Sequence, residues 1–195
     1  MILKKLLNLQ ALKLIKSFKK ENNGIFDIVI YGSAIRDKAD FNDLDISIIF
    51  SAPVDLNKKL QLSQELRYKL KNILNYDLDV KGIDLNDLSD PHFLARKAII
   101  AEGFSVLKNK FLHELFGFNT YYLFSYSLKN LTNSKKVMIH YALHGRREAK
   151  GLMELFNSAY LGKGVIKVPL QYSEEFKELF EKNKINYKIT KILCY

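Results

Sequence analysis

Along the chain, short dense apolar runs are separated by longer stretches in which apolar residues recur every three or four positions. The two patterns predict strands and helices respectively. After the break Asn22-Asn23-Gly24 comes FDIVIY (26–31), rich in β-branched and aromatic residues, which predicts a strand buried on both faces. Gly32-Ser33 then opens a short turn or helix. Residues 44–50 alternate, with Leu44, Ile46, Ile48 and Phe50 on one face and Asp43, Asp45 and Ser47 on the other. Pro53 ends this strand. Helical spacing through Leu56, Leu60, Leu66, Leu70 and Leu74 predicts a helix over 56–74. A third strand is expected over 76–84, then a helix from Pro91 to Glu102 closed by Gly103, then a short strand over 104–107. Ahead of all these, Leu3, Leu6, Leu7, Leu14 and Phe18 form a stripe that predicts an amphipathic helix packed on the domain.

From residue 108 the texture changes. Residues 111–143 are rich in Phe, Tyr and Leu and read as helical, with Thr132-Asn133-Ser134 as a cap, and 147–160 continue in helical spacing. A loop and short strand over 162–169, a helix over 173–181 and a final strand over 185–193 complete the chain.

Composition narrows the class. The chain has 195 residues, 48% hydrophobic and 27% charged, with nine Gly and three Pro, which fits a folded globular protein and excludes a low-complexity one. No apolar run approaches the roughly 18 residues of a membrane span, and no membrane partner is expected. The N-terminal stretch has no small-residue cleavage site, so no presequence is expected. The one cysteine, Cys194, excludes an internal disulfide and points to a reducing, cytoplasmic setting.

The net charge of +10 is unevenly spread: residues 1–107 carry +2 and residues 108–195 carry +8. All eleven aspartates lie between Asp27 and Asp90. The first part therefore holds the short carboxylates suited to metals and proton transfer, and the second has charge that attracts phosphate polymers.

The chemistry concentrates after the first strand. Glycine in Gly32-Ser33 permits close backbone approach, and the next turn can aim free N–H groups at phosphate. Alternation puts Asp43 and Asp45 on one strand face, about 7 Å apart at Cα. Two like charges on one face repel unless a cation lies between them. Asp77 and Asp79 share a face of the third strand, and Asp84 is nearby, so the identity of a third ligand stays open. Hard oxygens from neighbouring strands suit Mg²⁺, and three carboxylates can hold two ions around a transferring phosphoryl group. Arg36 either neutralises a triphosphate or pairs with Asp40, and Lys81 reads as a salt-bridge partner of Asp79.

The stretch YGSAIRDKADFNDLDISIIF, with a carboxylate on a later strand, resembles the signature of the polymerase-β-type nucleotidyltransferase superfamily, in particular its minimal members. The resemblance covers residues 25–107 and departs from the pattern at Asp37, where many members have Gly, and at Asn42, where Ser is frequent. It implies an α/β (α+β) nucleotidyltransferase fold, a mixed β-sheet flanked by helices, over residues 1–107. A mainly helical, basic substrate- or partner-binding region is expected over 108–195. It also implies that Gly32, Ser33 and Arg36 hold the NTP, with ATP as the expected substrate. Asp43, Asp45 and Asp79 would bind Mg²⁺, and Asp79 would activate the nucleophile.

The activity expected is transfer of an NMP to a hydroxyl with release of pyrophosphate. The acceptor is a nucleic-acid end, RNA or DNA, which fits the basic second part, or a helical toxin-like protein, which fits a minimal nucleotidyltransferase. A nucleic-acid-binding or protein-interaction module on an inactive scaffold is the alternative, and retention of Gly32, Ser33, Asp43 and Asp45 together argues against it. In the second part, Gly145-Arg146-Arg147 and Gly162-Lys163-Gly164 are candidate phosphate contacts, with Arg146, Arg147 and Lys163 as the cations, or else helix termini. Tyr121, Tyr122, Tyr126 and Tyr141 read as core at helical spacing. His140 and His144 share a helix face but lack a third zinc ligand.

Overall fold

The computed structural model describes residues 6–36 and 43–195, Arg36 by its backbone alone. Leu3, the departures at Asp37 and Asn42, and the choice between Asp40 and phosphate for the Arg36 side chain lie outside the described residues. The chain divides into two compact units, Met1–Gly117 and Phe118–Tyr195.

The first unit is a five-stranded mixed sheet between helices. Its strands are β1 (Ile25–Tyr31), β2 (Asp43–Phe50), β3 (Asp77–Ile83), β4 (Phe104–Ser105) and β5 (Lys110–Phe111), in the order β3-β2-β1-β4-β5. β2 runs antiparallel to β1 and parallel to β3. The continuous apolar run of β1 is explained by its central place: Ile28, Val29 and Ile30 are all fully buried. Helix α1 (Leu9–Glu21) is capped by Asn8, whose side chain accepts from the Ala11 N–H at 2.8 Å, and α2 (Leu56–Lys71) is capped by Asp55. α1 packs on β1 through Ala11, Ile15 and Phe18, and α2 packs beside β3. On the face carrying Val29, Tyr31 and Ile49, helix α4 (Arg96–Glu102) brings Ile99 and the short α5 (Leu112–Leu115) brings Leu112 into one cluster.

The predicted helix from Pro91 begins only at Arg96. The Asp90 carboxylate instead accepts from the His92 N–H at 2.8 Å, holding this segment in turns. Asp84, 2% exposed, caps the short helix α3 (Leu85–Ser89) by accepting from the Asn86 and Asp87 N–H groups. It also accepts from Val54 N–H and lies 2.8 Å from the Lys59 ammonium. Burial works against its charge, but the bonds from Lys59, Val54, Asp87 and Asn86 prevail and hold its pKa below the usual carboxylate range. Asp84 is therefore a cap tying three segments together, and it leaves the contest for third carboxylate.

The second unit corrects the expectation of a mainly helical C-terminal region. It is built on a four-stranded antiparallel sheet, ordered β11-β6-β10-β9, from β6 (Asn119–Ser127), β9 (Ala159–Gly162), β10 (Val165–Pro169) and β11 (Asn186–Cys194). The aromatic stretch expected to be helical forms β6. Its true period is two: Thr120, Tyr122 and Phe124 are buried, and Phe124 packs its ring on Phe176 and Phe180 of α8 (Ser173–Lys182). Helix α6 (Asn133–His144) starts at the predicted Thr132 cap, where the hydroxyl accepts from Lys135 N–H. Helical spacing over 147–160 yields only α7 (Leu152–Leu155). Gly145 at φ 87° and Arg147 at φ 55° turn the chain instead into a two-stranded hairpin, β7 (Gly145–Arg146) and β8 (Ala149–Lys150). Among the described residues no helix is long and apolar enough to cross a membrane.

Candidate active site

The register of β1, β2 and β3 sets the site. Tyr31 pairs with Asp45, and Asp45 with Asp79, so three consecutive strands contribute one row of side chains. One step along the strands, Asp43 pairs with Asp77. Neighbouring strands lie about 4.8 Å apart, so the four aspartates form a block in which each carboxylate has a like-charged neighbour. Asp77 is exposed at the start of an edge strand, whereas Asp45 and Asp79 are half-buried.

Gly32 closes the row. It follows β1 directly with φ 79°, in the left-handed region that favours glycine, and a Cβ built on it would fall 2.2 Å from Asp45 Oδ2. No side chain can be added there while that carboxylate stays in place. Ser33 begins a 3₁₀ turn over Ser33–Arg36 that follows Gly32 directly and packs beside β2.

Tyr31 was not singled out by sequence reasoning. It is 4% exposed, and its hydroxyl has no hydrogen-bond partner among the described residues. Burial first, then the charges of Asp45, Asp79 and Asp43, push its pKa well up, so the hydroxyl remains a neutral donor facing three carboxylates. The only local signal was its position before Gly32, at the end of an otherwise aliphatic run.

The Asp79 carboxylate lies 2.7 Å from Lys81 Nζ, the partner expected from their shared face. Among the described residues no three acidic, His or Cys side chains converge as a ready-made ligand set. Even so, the residues present fit a divalent cation. The donors are hard oxygens, Asp45 is seated where a Cβ would have excluded it, and a buried hydroxyl stands unpartnered at their edge.

A family model described as polymerase beta, nucleotidyltransferase matches residues 13–111, just over half of the chain. The chain belongs to this family. It is a nucleotidyltransferase, and the mixed sheet flanked by helices is the fold expected of one. No curated protein matches it in sequence. Among solved structures, the toxin–antitoxin pair MntA–HepT is 19% identical over 51% of this chain and 71% of that one, at a TM-score of 0.35. The tri-AMPylated Shewanella oneidensis HEPN toxin in complex with MNT antitoxin is 20% identical over 50% and 69%, also at 0.35.

The candidate phosphate-contact cations of the second unit occupy two local settings, the β7–β8 hairpin and a cavity. Gly145 is the C-cap of α6, its N–H bonding Tyr141 O, so here the helix-terminus reading holds. Arg146 lies 5.0 Å above the Tyr141 ring, and Arg147 occupies the hairpin turn. Lys163 instead lines a cavity with Tyr126 and Tyr160. Of the four tyrosines read as core, only Tyr122 is fully buried. The His140 and His144 rings stack at 4.7 Å, and burial, with the neighbouring His140, lowers the pKa of His144.

Proposed function

We propose that this nucleotidyltransferase moves an NMP from an NTP, ATP as the expected donor, onto a hydroxyl acceptor in an Mg²⁺-dependent reaction. The observation that carries the reading is the contact between Gly32 and Asp45, which joins the phosphate-approach turn and the carboxylate block into one site. Asp43, Asp45 and Asp79 would hold Mg²⁺, which would supply positive charge to offset that of the triphosphate. Gly32 and Ser33 let the backbone approach the triphosphate, and Arg36 adds a positive charge three residues further on. The acceptor oxygen bonds to the α-phosphorus, the α–β phosphoanhydride bond breaks, and pyrophosphate leaves. The acceptor proton passes to the Asp79 carboxylate.

For this role Asp79 must release Lys81. Both side chains are nearly half exposed, 42% and 48%, and an ion pair so open to water contributes at most about 1 kcal/mol. Exchange is therefore cheap. The acceptor is a nucleic-acid end or a protein hydroxyl, and the charge of +8 over residues 108–195 supports the former. The single cysteine supports work in the reducing cytoplasm.

Asp79→Asn is expected to slow transfer about a hundredfold or more, as loss of a general base does, with only modest loss of Mg·NTP affinity. Asp77→Asn, at the exposed strand start, is expected to cost less than about tenfold by the same comparison. Transfer rates measured beside NTP binding with and without Mg²⁺ make the comparison. Equal effects would reassign the third carboxylate.

A further inference from the structure

Within the second unit, β6, α6 and the β9–β10 hairpin enclose a two-lobed cleft. One lobe, about 560 Å³, carries Lys129, Lys136 and Lys163. The other, about 330 Å³, has Ile139 and Leu143 beneath His140 and His144. Tyr126 and Tyr160 border both lobes. Each volume falls in the range of about 300–1,000 Å³ usual for ligand sites.

The charge is one-sided. Neither lobe is lined by an acidic residue, and among the described residues none of the three lysines makes an ion pair. Ammonium groups that line one cavity without a counter-charge repel one another, and an anion resting among them removes that cost. The aromatic border is held in place. Tyr160 OH accepts from the Gly164 N–H at 3.3 Å, and Tyr126 N–H donates to Gly164 O at 2.7 Å. Gly164 has φ 75°, and a Cβ on it would fall 2.5 Å from Tyr126 O, so this turn admits no side chain, and the Tyr126 ring is held by packing on Phe180 at 4.9 Å.

A lysine lobe beside an aromatic, apolar lobe matches a ligand that joins phosphate to a flat ring. A duplex hides its bases in the stack, whereas a single strand offers phosphate and base faces together. We propose that this cleft binds single-stranded nucleic acid, its phosphates among Lys129, Lys136 and Lys163 and a base against Tyr126 and Tyr160. The bound strand is the acceptor of the transfer proposed above, and that second step rests on the proposed reaction.

The test is fluorescence anisotropy with a labelled oligonucleotide of about 12 nucleotides, RNA and DNA, across a salt series in EDTA. Wild type is expected to bind with a steep salt dependence. Replacing Lys129, Lys136 and Lys163 together by Ala should flatten the slope of log affinity against log salt by about 2, at about 0.7 for each phosphate no longer neutralised. Tyr160→Ala should weaken binding about tenfold, and Tyr160→Phe, which keeps the ring, should not. The lysines are surface groups, so their variant reports on binding even if Tyr160→Ala loosens the hairpin. A flat, weak titration, an unchanged triple variant, or free AMP binding as tightly as the strand would each overturn the inference. Because the assay excludes metal, its failure leaves the reaction centre untouched. Strand binding with no NMP transferred to the strand would leave the cleft standing and overturn its role as the acceptor site.

Discussion

Asp43→Asn or Asp45→Asn is expected to lower nucleotidyl transfer at least a thousandfold, about 4 kcal/mol of barrier, and to leave the fold as stable as before or more so. The two effects have one cause. Asp43 faces Asp77 and Asp45 faces Asp79 across the parallel pair β2–β3, so in metal-free protein each carboxylate repels its neighbour. Removing one charge relieves that repulsion while deleting a hard-oxygen donor. Neither side chain carries the packing of β2, which is done by Leu44, Ile46 and Ile48, all fully buried. Transfer assays beside thermal unfolding in EDTA check both halves of the expectation. A variant that unfolds, or one that keeps the wild-type rate, contradicts the assignment.

Gly32→Ala is expected to be nearly as damaging to activity, at least about a hundredfold, because displacing a reacting group by even 1 Å has that scale of cost. The added methyl would sit 2.2 Å from Asp45 Oδ2, so the carboxylate must move. The backbone at φ 79° adds strain of about 1–2 kcal/mol, which corresponds to a fall in Tm of roughly 2–8 °C for a protein of this size. A folded variant with abolished transfer and slightly lowered Tm is the expected outcome. Unimpaired transfer would separate the Gly-Ser turn from the carboxylate site.

What was legible in the sequence was local. The unbroken apolar run of β1 and the alternation of β2 announce their burial, and the faces of Asp43 and Asp45 follow from that alternation. The Thr132 cap is likewise written next to the helix it starts. Registers between strands are not local. That Asp79 and not Asp77 stands beside Asp45 depends on how β3 slides along β2, and the role of Asp84 depends on Lys59 arriving from α2. The aromatic stretch of β6 misled because Tyr121 and Leu123 interrupt the buried set Thr120, Tyr122 and Phe124 with further apolar residues, so period two is masked. Only the rings of α8, more than forty residues later in the chain, decide which face is inside. The cleft of the second unit was half visible: Lys163 stood out beside its glycines, but Lys129, Lys136 and Tyr160 come to it only through the sheet and α6.

Transfer of a nucleotidyl group by the carboxylate block beside Gly32 is tested most directly by one measurement. The full chain is incubated with Mg²⁺ and each NTP labelled at the α-phosphate, offering RNA, DNA and candidate protein acceptors. Label incorporated into an acceptor with matching release of pyrophosphate, abolished in EDTA and in Asp43→Asn, is the predicted result. Absence of incorporation with every acceptor, or incorporation that Asp43→Asn leaves intact, would contradict it.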